Sequence, residues 1–179
     1  MKQVAPERLV FLDESGANLS MGRTHAWIPR GTEKEERRPM NWGTNLTMIG
    51  AMRLSGWITM STMFKTANGE RFVAWVRRRL APKLRKGDVV ILDNARAHKD
   101  ARVPAIVAAR GATVEFLPPY SPDFNPIEPC WALAKKHIRA VAPRHGLALR
   151  KAAQAGRRRV RPSHCRAFFD HAGYRRQLN

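Results

Sequence analysis

The sequence predicts an α/β protein whose mixed, five-stranded sheet is flanked by helices. Three patterns support this: two short apolar runs typical of buried strands, an alternating stretch typical of a hairpin, and helical periodicity between the later strands. Strands followed by an alternation of helices and strands are typical of a mixed sheet with helices on its faces. The length of 179 residues suits one domain with one sizeable core.

The first three strands are predicted near the N-terminus. Residues 9–12 are apolar and end at Asp13, which indicates a buried strand. The polar segment 14–44 is expected to be irregular, with at most one short strand near residues 25–30. Residues 45–64 alternate between apolar and polar on either side of the turn "RLSG", which predicts an antiparallel hairpin.

The second half of the chain alternates helices with strands. A helix is predicted to start at about Asn68, and its apolar residues recur at helical spacing. The runs "VVIL" and "ATVEFLP" predict two more strands, separated by a short helix that Asp100 caps and Gly111 ends. A proline-rich loop then leads into a helix that is expected to end near Arg139.

Basic charge is the strongest global feature of the sequence. The chain has 33 Lys and Arg residues against 14 Asp and Glu, a formal net charge of +19. This imbalance favours a polyanionic partner, usually nucleic acid, over the plainer alternative of a solvated basic face. Because the excess is largest after Lys135, we predict a domain over residues 1–140 and a basic, helical extension of it over residues 141–179.

The sequence carries no signal for a membrane or for secretion. No apolar run approaches the roughly 20 residues that a membrane span needs, and the N-terminus lacks a signal-peptide stretch. The two cysteines, Cys130 and Cys165, have neither CxxC spacing nor the pattern of a disulfide framework. A reducing cytoplasm is the expected location.

Two aspartates follow predicted strands in the same way. Asp13 comes directly after the first apolar run, and Asp93 comes directly after "VVIL". If these strands are parallel neighbours, both carboxylates emerge at one edge of the sheet, where sites in open α/β sheets form. A third carboxylate would complete a cluster suited to Mg²⁺ or Mn²⁺. Each aspartate taken alone is better explained as a turn residue or a helix cap.

Glu128 is the candidate for the third carboxylate. Asn125 can cap the last helix with Pro126 at its first position, which makes Glu128 part of a capping-box arrangement. The same helix places Glu128 on the border of its buried stripe, with Lys135 and Arg139 further along that face. The stripe itself is predicted to comprise Ile127, Trp131, Ala134 and Ile138. A structural cap and a metal ligand are both compatible with this position.

Three blocks in order resemble a known family. The blocks "FLDESG", "VVILDNARAHK" and "LPPYSPDFNPIEPCW" are similar to those of DDE transposase catalytic domains, above all the insertion-sequence 630 family, relatives of the mariner elements. The 34 residues between Asp93 and Glu128 match the interval typical of that group. The resemblance covers roughly residues 8–140 and implies a ribonuclease-H-like fold.

The resemblance also implies a function. Asp13, Asp93 and Glu128 would hold two divalent ions, Mg²⁺ or Mn²⁺. A water activated there would cut a phosphodiester and free a 3′-hydroxyl, and the same site would direct that hydroxyl onto target DNA. The implied partners are double-stranded DNA, both transposon ends and target, and a second copy of the chain in a homodimer. The implied location is the bacterial cytoplasm, at the nucleoid.

Family members normally begin with helix-turn-helix segments that bind the element's ends. Because this chain has only 12 residues before Asp13, we expect it to be the second half of a frameshifted gene, a fragment or a degenerate copy. An upstream helix-turn-helix segment is an expected partner. Two other functions stay open. One is a structure-specific or hybrid nuclease on the same fold, and the other is a non-catalytic DNA-binding remnant.

Further residues are candidates for contacts with nucleic acid. His98 and Lys99 lie in the second block, and Lys135 and Arg139 lie on the helix that carries Glu128. For His98, orientation of the site, a phosphate contact and a hydrogen bond at the start of a helix are all open. Trp131 is expected to be a core residue. The loop residues expected to stiffen the proline-rich segment rather than react are Tyr120, Ser121 and Asn125.

Overall fold

A mixed sheet of five strands forms the centre of the molecule, as predicted. The computed structural model describes residues 4–23, 25, 27–33, 35 and 43–174. The strands lie in the order β3-β2-β1-β4-β5. β1 pairs antiparallel with β2, which pairs antiparallel with β3, whereas β1, β4 and β5 run parallel. The strands are β1 (Leu9–Ala17), β2 (Leu46–Arg53), β3 (Gly56–Met63), β4 (Val89–Leu92) and β5 (Thr113–Phe116).

Five α-helices connect and cover the strands. They are α1 (Gly69–Trp75), α2 (Arg102–Ala108), α3 (Ile127–Val141), α4 (Gly146–Arg159) and α5 (Pro162–His171). α1 continues into a π-helical turn over Val76–Leu80 and a 3₁₀ turn over Ala81–Lys83. Other 3₁₀ turns span Pro6–Arg8, Arg96–Lys99 and Pro122–Phe124.

The helices bury both faces of the sheet. Phe11 of β1 packs with Trp131 and Phe169 beneath α3, α4 and α5. On the opposite face, Leu12 joins Phe72 and other side chains of α1 and α2. Successive residues of β1 therefore point into different cores, as strand geometry requires. Because helices cover both faces of the sheet, the central strands are apolar on both sides, which accounts for their uninterrupted apolar runs.

The first strand is longer than predicted. The sequence indicates a strand that ends at residue 12, but β1 continues to Ala17 because it keeps pairing with β2. Its parallel pairing with β4 covers only residues 9–11, opposite residues 89–91. Asp13 therefore lies inside β1 yet beyond the region where β4 is its neighbour. This keeps Asp13 at the carboxyl edge of the parallel part of the sheet.

Most predicted turns and helix starts are confirmed. The hairpin forms β2 and β3, and the side chain of Asn68 caps α1 by accepting a hydrogen bond from the backbone N–H of Arg71 at 3.0 Å. The predicted cap of α2 is displaced by one residue. Ala101 occupies the cap position, and Asp100 just before it accepts a hydrogen bond from the backbone N–H of Arg102.

The segment between β1 and β2 is largely irregular, as expected. Beyond the end of β1, the described residues of segment 14–44 include no strand, and so the possible short strand near residues 25–30 is not found among them. Residues 24 and 26 lie outside the described part. Within the described ranges, no helix is long and apolar enough to cross a membrane.

The basic C-terminal segment forms α4 and α5, which pack against α3. Gly156 of α4 lies so close to α3 that a Cβ atom there would stand 2.6 Å from the carbonyl oxygen of Ala134. The glycine therefore sets the separation of the two helices. α4 in turn contacts β2 and β3, and this contact brings its basic side chains to the edge of the sheet.

Candidate active site

Asp13 is the most deeply buried of the three predicted carboxylates. Only 5% of the Asp13 surface is exposed, and its Cα lies opposite that of Gly50 in β2. Oδ2 of Asp13 accepts a hydrogen bond of 3.0 Å from Nε1 of Trp131 on α3. Strand β1 thus presents the carboxylate towards the helix that carries Glu128.

Gly50 makes room for this hydrogen bond. A Cβ atom at Gly50 would lie 2.7 Å from ring atoms of both Trp131 and Trp57. The two indole rings pack against each other, with centroids 4.8 Å apart, directly over the glycine. Real Cβ contacts are essentially never this short, so a larger residue would displace the indole that holds Asp13.

Asp93 follows β4, as predicted, and is held from two sides. Oδ1 accepts a hydrogen bond of 2.9 Å from the backbone N–H of Ala95. Nδ1 of His98 lies 2.5 Å from the same oxygen. The contact is shorter than a usual hydrogen bond and departs from its normal geometry, and it becomes an ion pair when His98 is protonated. The imidazole beside Asp93 lowers the pKa of the carboxyl group.

His98 is a buried residue that packs against the second core. It is 2% exposed, and its ring lies 4.5 Å from that of Phe72. Burial alone would lower the pKa of His98, but Asp93, Glu14 and Asp13 together outweigh burial and raise it. The geometry therefore favours the orienting role among the three predicted for His98, because a buried ring offers no surface to a phosphate.

Glu128 lies at the start of α3, but it is not part of a capping box. α3 begins at Ile127, Pro126 occupies the cap position, and no side chain caps the helix. The predicted cap residue Asn125 is buried and extended, and it contributes only its carbonyl oxygen, which accepts from the N–H of Glu128 at 3.1 Å. The side chain of Glu128 is exposed. Its predicted structural role as a cap is therefore wrong.

The buried stripe of α3 is confirmed and determines where Glu128 points. Each of its four predicted members, Ile127, Trp131, Ala134 and Ile138, is at most 1% exposed. Glu128 lies one residue along from this stripe, on the side that borders the sheet. The interaction with Glu128 is the second largest cause, after burial, of the pKa of Asp13 being raised to about 7. The negative charge of Asp93 raises it further.

The chemistry of these three groups fits divalent metal ions. Their donors are carboxylate oxygens, which Mg²⁺ and Mn²⁺ prefer, and like charges gathered near a buried carboxylate favour a cation. Among the residues that the structure describes, no three His, Cys, Asp or Glu side chains stand close enough to hold one ion together as they are placed. Binding by all three would therefore require side-chain movement, for which the exposed Glu128 is free.

Two other acidic residues, Glu14 and Asp88, lie beside the same two strands. Glu14 follows Asp13 in β1. Burial and the charge of Asp93 raise its pKa, the charge of His98 opposes them, and one of its carboxylate oxygens has no hydrogen-bond partner among the described residues. Asp88 lies at the other end of β4 and is fully buried, in an ion pair of 3.0 Å with Arg53. Asp88 therefore has a structural role.

A cleft of about 520 Å³ opens beside Asp93 and Glu128. The proline-rich loop before α3 forms one wall, and Lys99 lies on the other side. Tyr120 on this loop has a fully exposed side chain and a backbone φ of 54°, which is rare for a residue other than glycine. The side-chain N–H of Asn94 donates to the carbonyl oxygen of Leu117, and this hydrogen bond ties the loop to the end of β4.

The predicted basic residues lie around the carboxylates at different depths. Lys99 is exposed and lines the cleft. Lys135 and Arg139 are half-buried on the face of α3 that carries Glu128. Burial lowers the pKa of Lys135, and the nearby charges of Glu128 and Asp13 partly oppose this effect.

Two residues of the site were not foreseen in these roles. Trp131 was expected only to fill the core, yet its N–H holds Asp13. Gly50 was counted as one member of an alternating strand, and its contact with two indoles depends on a fold that brings distant segments together. The only available signal was a glycine inside a strand, which often marks close approach of another group.

The fold and the position of the carboxylates together define the class of protein: a ribonuclease-H-like α/β domain with an acidic site at one edge of its sheet. The family model described as DDE superfamily endonuclease matches residues 8–147. The chain belongs to this family. A comparison with curated proteins finds no match.

Solved structures of Mos1 transposase share the fold. The Mos1 strand transfer complex matches with a TM-score of 0.70 at 19% identity, over 92% of this chain and 51% of that one. The Mos1 mariner paired end complex with Mn matches with a TM-score of 0.69, also at 19% identity, over 92% and 52%. The catalytic domain of Mos1 mariner transposase gives 0.62 at 14% identity, over 92% and 76%. The chain thus spans about half the length of the first two.

Proposed function

We propose that this chain is the catalytic domain of a cut-and-paste DNA transposase, which cleaves DNA at the ends of an insertion sequence and joins them to target DNA. The observation that carries the proposal is that the charges of Glu128 and Asp93 both act on the buried carboxylate of Asp13, in a chain that belongs to the DDE superfamily endonucleases. The fold shared with Mos1 complexes and the charge of +19 support DNA as the substrate.

Asp13, Asp93 and Glu128 are the residues that would hold the metal. Mg²⁺ or Mn²⁺, as a pair of ions, supplies activation of a water or a 3′-hydroxyl and stabilises charge on the leaving oxygen when bound. Structures of Mos1 with Mg and with Mn support this choice of ions. Asp13 is fixed by Trp131 and Asp93 by His98 and Ala95, while Glu128 stays exposed and adjustable.

The surrounding residues would bind and position the DNA. Lys99 stands at the cleft beside Asp93, and Lys135 and Arg139 continue the face of α3 that begins at Glu128. Cations at these positions can neutralise phosphates on either side of the cleaved bond. The proline-rich loop forms the opposite wall and limits how deeply a duplex enters.

The wider assembly is part of the same proposal. Residues 1–140 with the extension 141–179 would act as one catalytic domain, since α4 and α5 pack on α3. Two copies would act on two transposon ends in a homodimer, with an upstream helix-turn-helix segment to recognise the end sequence. The natural setting would be the bacterial nucleoid.

Cleavage and strand transfer test the proposal directly. The purified chain, supplied with its element ends and any missing DNA-binding segment, should cut and join DNA with Mg²⁺ or Mn²⁺ and not with EDTA. Asp93→Asn should abolish both reactions and keep the fold, whereas Asp170→Asn, an exposed position on α5, should leave them intact. Retained activity in Asp93→Asn would refute the assigned site.

The substrate distinguishes the proposal from its alternatives. Cleavage of an RNA–DNA hybrid without strand transfer would identify a hybrid nuclease on the same fold. DNA binding that needs no metal and leads to no cleavage under any condition would identify a non-catalytic binding protein.

A further inference from the structure

The open edge of β3 forms a groove away from the carboxylates. β3 pairs only with β2, so its outer edge has no strand partner in the described part of the chain. Residues 59–62 of this edge line a groove of about 450 Å³. The groove therefore presents the polar groups of an edge strand, including the side chains of Ser61 and Thr62.

Arginines reach this groove from both faces of the sheet. Arg79 comes from the π-helical turn after α1, which packs on one face. Arg150, Arg157 and Arg158 come from α4, which packs on the other face. Among the described residues that line the groove, none is acidic. Four positive charges and no carboxylate make the groove a site for anions.

The position of the α4 arginines is fixed by the core. Arg150, Arg157 and Arg158 follow helical spacing along one side of α4, next to its buried stripe. The stripe consists of Leu149, Ala152, Ala153 and Gly156. Since Gly156 lies directly on the backbone of α3, the helix cannot rotate to direct these side chains elsewhere without losing that contact.

Arg150 has an unused hydrogen-bond donor. Its guanidinium lies 4.4 Å from the centre of the Phe64 ring, which holds it in a cation–π contact. Its Nε is buried and has no hydrogen-bond partner. A buried donor without a partner is costly, and the contact with Phe64 holds the charged guanidinium at the groove.

We propose that this groove binds the sugar–phosphate backbone of duplex DNA, and this inference rests on the proposed function of the carboxylate site. Asp13 lies opposite Gly50, and Gly50 lies opposite Met60 in the middle of the groove. Two strand spacings make this separation about 10 Å. DNA engaged at the carboxylates therefore extends only about three nucleotides, at about 3.4 Å per phosphate on each strand, to reach the groove.

The plainer alternative is that the arginines only shield an edge strand from pairing with another chain. Natural edges are often protected by charge. Shielding, however, needs no convergence of arginines from both faces of the sheet. DNA binding accounts for this convergence.

The test removes charge from the groove without disturbing its packing. The groove variant is Arg79→Gln/Arg157→Gln/Arg158→Gln, and Arg150 is kept because it packs on Phe64. The full-length chain is titrated with a fluorescently labelled DNA duplex in EDTA over a range of salt concentrations. EDTA excludes metal at the carboxylates, so binding is measured apart from catalysis.

The matched control removes the same charge from the same elements. Arg77→Gln/Arg78→Gln/Lys151→Gln changes three exposed residues that do not line the groove. Circular dichroism and thermal unfolding check that both variants keep the fold. We expect the groove variant to bind about tenfold more weakly, with a salt dependence shallower by about 0.9 for each lost phosphate contact. The control variant should lose about twofold in DNA affinity at most, a third of the groove variant's loss on a logarithmic scale.

Three outcomes would overturn the proposal: an equal loss in both variants, no loss in the groove variant, or tighter binding of duplex RNA that the groove variant abolishes. Failure of the proposed function gives a different result. In that case the wild-type chain would bind DNA through the groove yet cleave nothing with Mg²⁺ or Mn²⁺. If instead the chain cleaves DNA and both variants bind DNA equally well, the proposal that the groove binds DNA is wrong, and the proposed catalytic function is unaffected.

Discussion

Nε1 of Trp131 on α3 lies 3.0 Å from Oδ2 of Asp13 on β1. The helix that carries Glu128 is thus bonded directly to the first aspartate, across 118 positions of sequence. Trp131 and Glu128 are three residues apart on α3, so the rotation that seats the indole also sets where Glu128 points. One buried side chain thereby couples the geometry of two carboxylates.

Replacing Trp131 by Phe should weaken this coupling. The ring still fills the core beside Trp57, but the donor to Asp13 is lost, and hydrogen bonds to charged groups contribute about 1.5–3 kcal/mol. We expect a free energy of unfolding lower by about that amount at pH 8 and slower DNA cleavage. Trp75→Phe is the matched control, because Trp75 is equally buried and its Nε1 has no hydrogen-bond partner. Equal effects of both changes would contradict the assigned role of Trp131.

Adding one methyl group at Gly50 should disturb the site by displacing Trp131. In Gly50→Ala the new Cβ would stand 2.7 Å from both Trp131 and Trp57, and such overpacking costs about 1–3 kcal/mol. We expect lower stability in thermal unfolding and a loss of cleavage activity as the indole moves off Asp13. Gly16→Ala in β1 is the control, because nothing lies within 4 Å of its Cβ position. A Gly50→Ala protein as stable and active as Gly16→Ala would refute the packing argument.

A methyl group added at Gly156 tests the spacing between α3 and α4. A Cβ there would meet the carbonyl oxygen of Ala134 at 2.6 Å, a contact with backbone that cannot rotate away. We expect Gly156→Ala to lower the free energy of unfolding by about 1–3 kcal/mol, although alanine is the better helix former. Lys151→Ala, an exposed position on α4, should be nearly neutral. A stabilised Gly156→Ala protein would show that the helices can separate without cost.

The sequence predicts much of this fold because its signals are local. Apolar runs and alternation predict all five strands, and β1 and β4 meet the condition that the strands before Asp13 and Asp93 are parallel neighbours. The buried stripe of α3 followed from helical spacing alone. These features depend on neighbours within a few residues, which a sequence displays directly.

What the sequence could not predict depends on contacts between distant segments. β1 extends to Ala17 because β2 pairs with it, and the composition of "DESGA" gives no sign of this pairing. The capping box at Glu128 is not formed because Pro126 holds the cap position of α3 and no side chain caps the helix. The bond between Trp131 and Asp13, like the gap at Gly50, arises only when α3 is laid on the sheet.

His98 should act through Asp93 rather than on the substrate. Replacing it by Gln removes the cation beside Asp93 and keeps a polar side chain of similar reach. Loss of a residue that orients a metal ligand typically costs about 10–100-fold in metal affinity or activity. We therefore expect His98→Gln to need more Mg²⁺ for half-maximal cleavage and to recover part of its rate at high Mg²⁺. His171→Gln, exposed on α5, is the control, and an unchanged Mg²⁺ requirement in His98→Gln would exclude the orienting role.

Asp13 should make the stability of the metal-free protein depend on pH. Burial and the charge of Glu128 raise its pKa to about 7, against 3.8 for an ordinary aspartate. The folded chain therefore keeps this proton where the unfolded chain has lost it, and the free energy of unfolding should fall as pH rises from about 4 to about 7. At 1.36 kcal/mol per pKa unit, the loss is at most about 4 kcal/mol.

In EDTA, Asp13→Asn should thus be more stable than wild type at pH 8 and similar at pH 4. Asp170→Asn should show no such difference, and a wild type that matches Asp13→Asn at both pH values in thermal unfolding would rule out a strained carboxylate at this position.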